Sequence, residues 1–149
     1  MPLVLGEFST EFGDSIAARK ANIALASKSI NGAVVQPGEI FSYNDTIGPT
    51  TQGNGYQKAG IFVNGKQSFG YGGGVCQVSS TLFNAVQRAG LEVIERHNHS
   101  RRVTYVPKGK DAATSYGVID FRFRNNMSYP VSIESSVSGS KILIKIVSS

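Results

Sequence analysis

A glycine run that ends in the chain's one cysteine limits what this sequence can fold into more than any other stretch. Phe69-Gly70-Tyr71-Gly72-Gly73-Gly74-Val75-Cys76-Gln77-Val78-Ser79-Ser80-Thr81-Leu82 carries the only cysteine among the 149 residues. Val78, Leu82, Ala85, Val86 and Ala89 then recur at the spacing of one helical face, and Gly90 stands where a left-handed cap stops a helix. The pattern predicts a glycine loop feeding a helix, with Cys76 at or just before the helix start. Unpaired backbone N–H groups and the positive end of the helix dipole meet there, which lowers a thiol pKa. A lone cysteine can equally be a small buried apolar group, so both readings stand on the residues alone.

A nucleophilic cysteine needs an imidazole partner, a group that orients the imidazole, and donors for an oxyanion. The chain has two histidines, His97 and His99, so any such base is one of them. The backbone N–H groups of Gly73, Gly74 and Cys76 are the candidate oxyanion donors. His-x-His with Cys76 also offers three zinc ligands, with Glu95 and Asp111 as the nearby acidic residues, but no second cysteine completes a site and no metal is expected. The glycine run lacks the Gly-Lys-Ser/Thr of a phosphate loop, and no cofactor is expected. Arg96, Arg101 and Arg102 crowd the histidines, either as solvated charge or as a docking point for substrate carboxylates.

The rest of the chain reads as one α+β domain with a mostly antiparallel sheet and two main helices. Gly6 to Gly13 is a polar–aromatic lead-in with Phe8 and Phe12 as anchors. Asp14 or Ser15 caps a helix running to about Ile30, and Asn31-Gly32 ends it. Ala33-Val34-Val35 and Glu39 to Tyr43 read as strands around a Pro37-Gly38 turn, and Asn44 to Gln57 as a long surface loop. Ile61-Phe62-Val63, Asn64-Gly65 and Lys66-Gln67-Ser68 form a hairpin signal with a type I′ turn. Beyond Gly90, strands are expected over Leu91 to His99, Val103 to Val106 and Gly117 to Arg124, the last with Ile119, Phe121 and Phe123 on one face. Val131 to Val137 and Ile142 to Val147 make a closing hairpin.

A net charge of +5 favours anionic surroundings without choosing among them. Nucleic-acid binding would interleave aromatics with the basic patch, and Tyr105 alone does not do that, so no nucleic acid is expected. No stretch approaches the ~18 apolar residues of a membrane span, and no secretory core is present. No membrane contact by this domain is expected, and a monomer is favoured.

Asn22-Ile23, Pro37-Gly38-Glu39-x-Phe41-Ser42, Gly55-Tyr56, Gly72-Gly73-Gly74-Val75-Cys76-Gln77-Val78-Ser79-Ser80-Thr81-Leu82, Glu95-Arg96-His97-Asn98-His99-Ser100, Tyr105-Val106-Pro107-x-Gly109-x-Asp111-Ala112 and Asn125-Asn126 together resemble the VanW domain family. The resemblance runs from about Gly6 to Ile146. It implies a single domain, 1–149, taken from a longer protein of the Gram-positive cell wall whose anchor or export signal lies upstream. Some members look like peptidoglycan L,D-transpeptidases. On that resemblance Cys76 attacks a stem peptide and a thioester forms, with His99 as base, His97 as second choice and Asp111 orienting the imidazole. Gly73, Gly74, Gln77, Arg96 and Tyr105 would hold substrate and oxyanion. The partners implied are donor and acceptor stem peptides, outside the cell. A cysteine carboxypeptidase or endopeptidase, or a non-catalytic wall-binding module, are the alternatives.

Overall fold

The computed structural model describes residues 2–63 and 66–149. Among the described residues nine strands form three antiparallel sheets, accompanied by three α-helices, consistent with the expected α+β class. The main sheet has the order β1-β9-β8-β2, with β1 at Val4–Glu11, β2 at Val34–Val35, β8 at Val131–Ser138 and β9 at Lys141–Ser148. Ile142, Ile144 and Ile146 of β9 alternate inward, as do Val131 and Ile133 of β8, so one face of the closing hairpin is apolar except for Ser135, whose buried hydroxyl meets that of Ser27 at 2.6 Å. Two helices cover that face. α1, Ala17–Ile30, packs on β8, and α3, Val75–Ala89, packs on β1 and β9.

The N-terminal lead-in is in fact strand β1. Its sequence carries too little apolar alternation to announce a strand, and pairing with β9 from Val4↔Val147 to Glu11↔Lys141 decides it. Gly6 is obligatory there. A Cβ would stand 2.4 Å from the Ala89 nitrogen and 2.6 Å from the Ala85 oxygen, so β1 touches the backbone of α3. The buried Thr10 and Thr81 hydroxyls meet across this contact at 2.8 Å.

A second sheet, β3-β7-β6, uses Ile40–Ser42, Arg122–Arg124 and Glu92–Glu95. Phe41 and Phe123 stack within it at a centroid distance of 5.2 Å, and Phe121 and Phe123 are fully buried. The strands expected over Leu91 to His99 and Gly117 to Arg124 are therefore shorter than their alternation suggested. Residues 96–99 leave β6 as irregular chain, and the Ser115–Ile119 bridge closes a turn through Gly117. Val103 to Val106 is not a strand; Val103 and Val106 are buried as isolated anchors of a loop.

The third sheet is the hairpin β4–β5, Lys58–Val63 with Lys66–Tyr71. The expected Asn64-Gly65 turn lies outside the described residues. Two further readings need correction. Ile16, not Asp14 or Ser15, is the N-cap of α1 and, having no polar side-chain atom, makes no cap bond, while the Ser15 hydroxyl donates to the Phe12 carbonyl at 2.5 Å. The expected loop Asn44 to Gln57 contains a helix, α2 at Tyr43–Ile47, and a 3-10 turn at Gln52–Asn54. Ser42 caps α2 by accepting from the Asp45 N–H at 3.1 Å. Tyr43 and Asn44 are buried, so this segment is a wall of the domain. No helix among the described residues is long and apolar enough to cross a membrane.

Candidate active site

The glycine loop is built by close approach. Gly72 and Gly74 have φ of 88° and 106°, in the left-handed region that L side chains avoid. A Cβ on Gly73 would stand 2.6 Å from the Gly60 oxygen, so the loop lies directly on hairpin strand β4. Fully buried Asn22 of α1 ties the two together. Its amide donates to the Gln57 carbonyl at 2.8 Å and to the Gly73 carbonyl at 3.0 Å, and its carbonyl accepts the Gln57 N–H at 2.8 Å. The buried Tyr43 hydroxyl donates to the Val75 carbonyl at 2.8 Å. Gly74 is the N-cap of α3, so Cys76 sits in the first turn of the helix. The Val75 and Gln77 N–H groups bond to Gly72 and Gly74 carbonyls, whereas those of Gly73, Gly74 and Cys76 donate to no described residue.

α3 also organises the strand of chain opposite it. Cys76, Ser80 and Asn84 lie one turn apart on one face. Segment 110–114 runs down this face in the reverse sense. The Asn84 amide donates to the Lys110 carbonyl at 2.7 Å, the Ser80 hydroxyl accepts the Ala112 N–H at 2.9 Å, and Ser79 donates to the Ala112 carbonyl at 2.7 Å. At the end of this run Cys76 Sγ lies 3.3 Å from the Thr114 carbonyl and accepts the Thr114 N–H at 3.5 Å. The same run delivers Asp111 to His99. One Asp111 oxygen, Oδ2, meets His99 Nδ1 at 2.6 Å and accepts the His99 backbone N–H at 2.6 Å. With Nδ1 so engaged, Nε2 is the ring nitrogen left for the thiol.

The charges agree with this geometry. Burial pushes the Cys76 thiol up, but the hydrogen-bonding His99 imidazole, its charge and the Thr114 bonds outweigh it and the pKa is lowered. Burial works against the His99 cation, and Cys76 and Asp111 together outweigh it, so the imidazole is held above its ordinary value. Burial likewise pushes Asp111 up, and its bonds from His99 bring it below the usual carboxylate range. The three groups therefore favour thiolate, imidazolium and carboxylate in a row.

The row opens into a cleft of about 890 Å³ walled by hairpin β4–β5, the N-terminal end of α1, and loop residues around Tyr105 and Thr114. Cys76 is half-buried at this wall. Tyr105 lines it too, and burial followed by the nearby Cys76 charge pushes its phenol well up, so it faces the cleft as a neutral group. Ile16, Phe69, Tyr71 and Tyr116 form an exposed apolar rim.

Not every residue singled out from the sequence reaches this cleft as a free group. His97 turns away to Glu95, Nε2 to Oε2 at 2.9 Å, beside the Glu95–Arg122 pair. Arg96 does not line the cleft: its Nε donates to the Asp111 carbonyl at 2.7 Å, its Nη2 pairs with Asp111 Oδ1 at 3.3 Å, and its guanidinium lies over the Phe83 ring. It supports Asp111 from behind. Gln77 is buried and its amide donates to Thr10 and the Glu11 carbonyl, so it braces the loop against β1. Thr114 and Arg19 are not foreseen from the sequence, and Asn22 enters there only as a residue of the family resemblance, without a role at the site. The i, i+4, i+8 row Cys76, Ser80, Asn84 was the available signal for the polar partner of α3 that brings Thr114 in. No group of three or more potential metal-ligating residues occurs among the described residues.

No solved structure matches this chain. The uncharacterized protein YoaR of Bacillus subtilis is 48% identical over 97% of the chain and 48% of its own length. The vancomycin B-type resistance protein VanW of Enterococcus faecalis is 32% identical over 82% of the chain and 46% of its own length. The chain thus spans about half the length of the curated relatives it matches. The family described as VanW like protein matches residues 18–147, which takes in the Asn22 clamp, the glycine–Cys76 turn, His99 and Asp111, and the chain belongs to the VanW-like family.

Proposed function

We propose that this domain is a cysteine acyltransferase of the peptidoglycan L,D-transpeptidase type, acting on stem peptides in the cell wall. The observation that carries the reading is His99 set between Asp111 and the lowered thiol of Cys76 at a cleft wall. The Cys76 thiolate attacks the carbonyl of the third stem residue, and the Gly73, Gly74 and Cys76 N–H groups are free to face the oxyanion. The Sγ–C bond forms and the C–N bond to the terminal D-Ala breaks. The His99 imidazolium gives its proton to the departing amine. A side-chain amine of a second stem then attacks the thioester, loses its proton to His99, and releases the thiolate as the cross-link forms. Asp111 keeps the ring in the tautomer that both steps use.

Incubation with tetrapeptide muropeptides is expected to give free D-Ala and cross-linked dimers, detected by mass spectrometry. Shortened monomers without dimers would assign the domain to hydrolysis. Full activity in Cys76→Ala would overturn the mechanism.

A further inference from the structure

Arg19 is a cation in the cleft wall with no carboxylate partner among the described residues. Its stem lies on the glycine loop: a Cβ on Gly74 would stand 3.0 Å from Arg19 Cγ. Its guanidinium bonds only neutral groups, Nη2 to Gln77 Oε1 at 2.7 Å and Nη1 to Ser15 Oγ at 3.1 Å. Arg19 thus brackets Cys76, touching the residue two before it and the residue after it. Asp14 lines the same cleft, yet among the described residues no carboxylate lies within ion-pair distance of Arg19. A half-buried guanidinium held rigidly by neutral acceptors is a ready partner for a ligand carboxylate, which it binds more strongly than a neutral group.

We propose that Arg19 binds the free α-carboxylate of the residue that leaves, so that the donor is a peptide with a free C-terminus, cut at its last peptide bond. This rests on acyl transfer by Cys76 as proposed above. In the chemical step the Sγ–C bond forms and the C–N bond breaks. The amine takes its proton from His99 and departs with its carboxylate still intact. An internal peptide bond presents no carboxylate at this point and leaves the Arg19 charge unmatched, so Arg19 selects against cutting within a chain.

The site is tested first without any turnover, by alkylating Cys76 with iodoacetate and with iodoacetamide. The ratio of the two rates in the native protein is expected to exceed that for glutathione. It is expected to fall about tenfold in Arg19→Gln and to be largely kept in Arg19→Lys. A native ratio no higher than that of glutathione overturns the proposal without recourse to a variant, and a folded Arg19→Gln with an unchanged ratio does the same. In the peptide assay, a C-terminal carboxamide donor is expected to lose about tenfold or more in kcat/KM with the native protein, and little further in Arg19→Gln. Absence of turnover with either donor, alongside the predicted alkylation ratios, would remove acyl transfer while leaving a carboxylate site beside Cys76.

Discussion

The glycine loop stands where it does because of one buried amide, and removing it should be measurable. Asn22 makes three hydrogen bonds, two to Gln57 and one to Gly73, from a fully buried position. Asn22→Ala strips partners from the Gln57 N–H, the Gln57 carbonyl and the Gly73 carbonyl at once. At about 1 kcal/mol for each bond the variant should be about 3 kcal/mol less stable, a large share of the 5–15 kcal/mol typical of a domain. With a urea m-value of about 2 kcal/mol/M, the unfolding midpoint should fall by about 1.5 M with the slope unchanged. Asn22→Asp sharpens the test, since it is isosteric but sets an oxygen where the amide donated to two carbonyls. The carboxyl must be protonated to donate, so its folded pKa lies above the unfolded value of about 3.9. The stability of Asn22→Asp should then fall as pH rises from about 4, the reverse of a stabilising carboxylate. A midpoint within about 0.3 M of native for Asn22→Ala, or an Asn22→Asp stability that rises over that range, would refute the clamp.

Iodoacetamide should alkylate Cys76 below the pH at which ordinary thiols react, because the thiol pKa is lowered. His99→Ala should move the profile upward, and His97→Ala, whose ring is on Glu95, should leave it in place. Asp111→Asn should narrow the pH window of stability. The Asp111 contribution is present above its unfolded pKa and is lost as pH falls through its lowered folded value. The His99 contribution is full below about pH 6.5 and is lost as pH rises through its raised folded value. Denaturation across pH should therefore show the gap between native and Asp111→Asn widest from mildly acidic pH to about 6.5. Gly6→Ala forces a Cβ into the α3 backbone and should lower Tm by about 10 °C in a thermal melt, from about 3 kcal/mol of overpacking.

The sequence by itself determined the elements whose signals are local. α3 follows from an apolar row at helical spacing with Gly90 at its end, and β8–β9 from alternation of isoleucine and valine across a Ser-Gly-Ser turn. The placing of Cys76 at a helix start was legible for the same reason, since glycine conformations and helix capping act within a few residues. Only the tertiary structure decided the rest. β1 exists because β9 pairs with it, whereas Val103 to Val106, for all its alternation, pairs with no strand among the described residues and is a loop held by the buried Val103 and Val106. Which histidine faces the thiol was settled by Asp111, delivered by the Ser80 and Asn84 bonds of α3 to a segment far along the chain. Arg96 does not take the docking role its neighbourhood suggested. Arg96, near the histidines in sequence, is consumed in holding Asp111, while Arg19, far from them in sequence, reaches the cleft because α1 lies on the glycine loop. Charge and residue type are written in the sequence, but the partner that neutralises a charge, or leaves it free, is set by which segments the fold brings within a few ångströms.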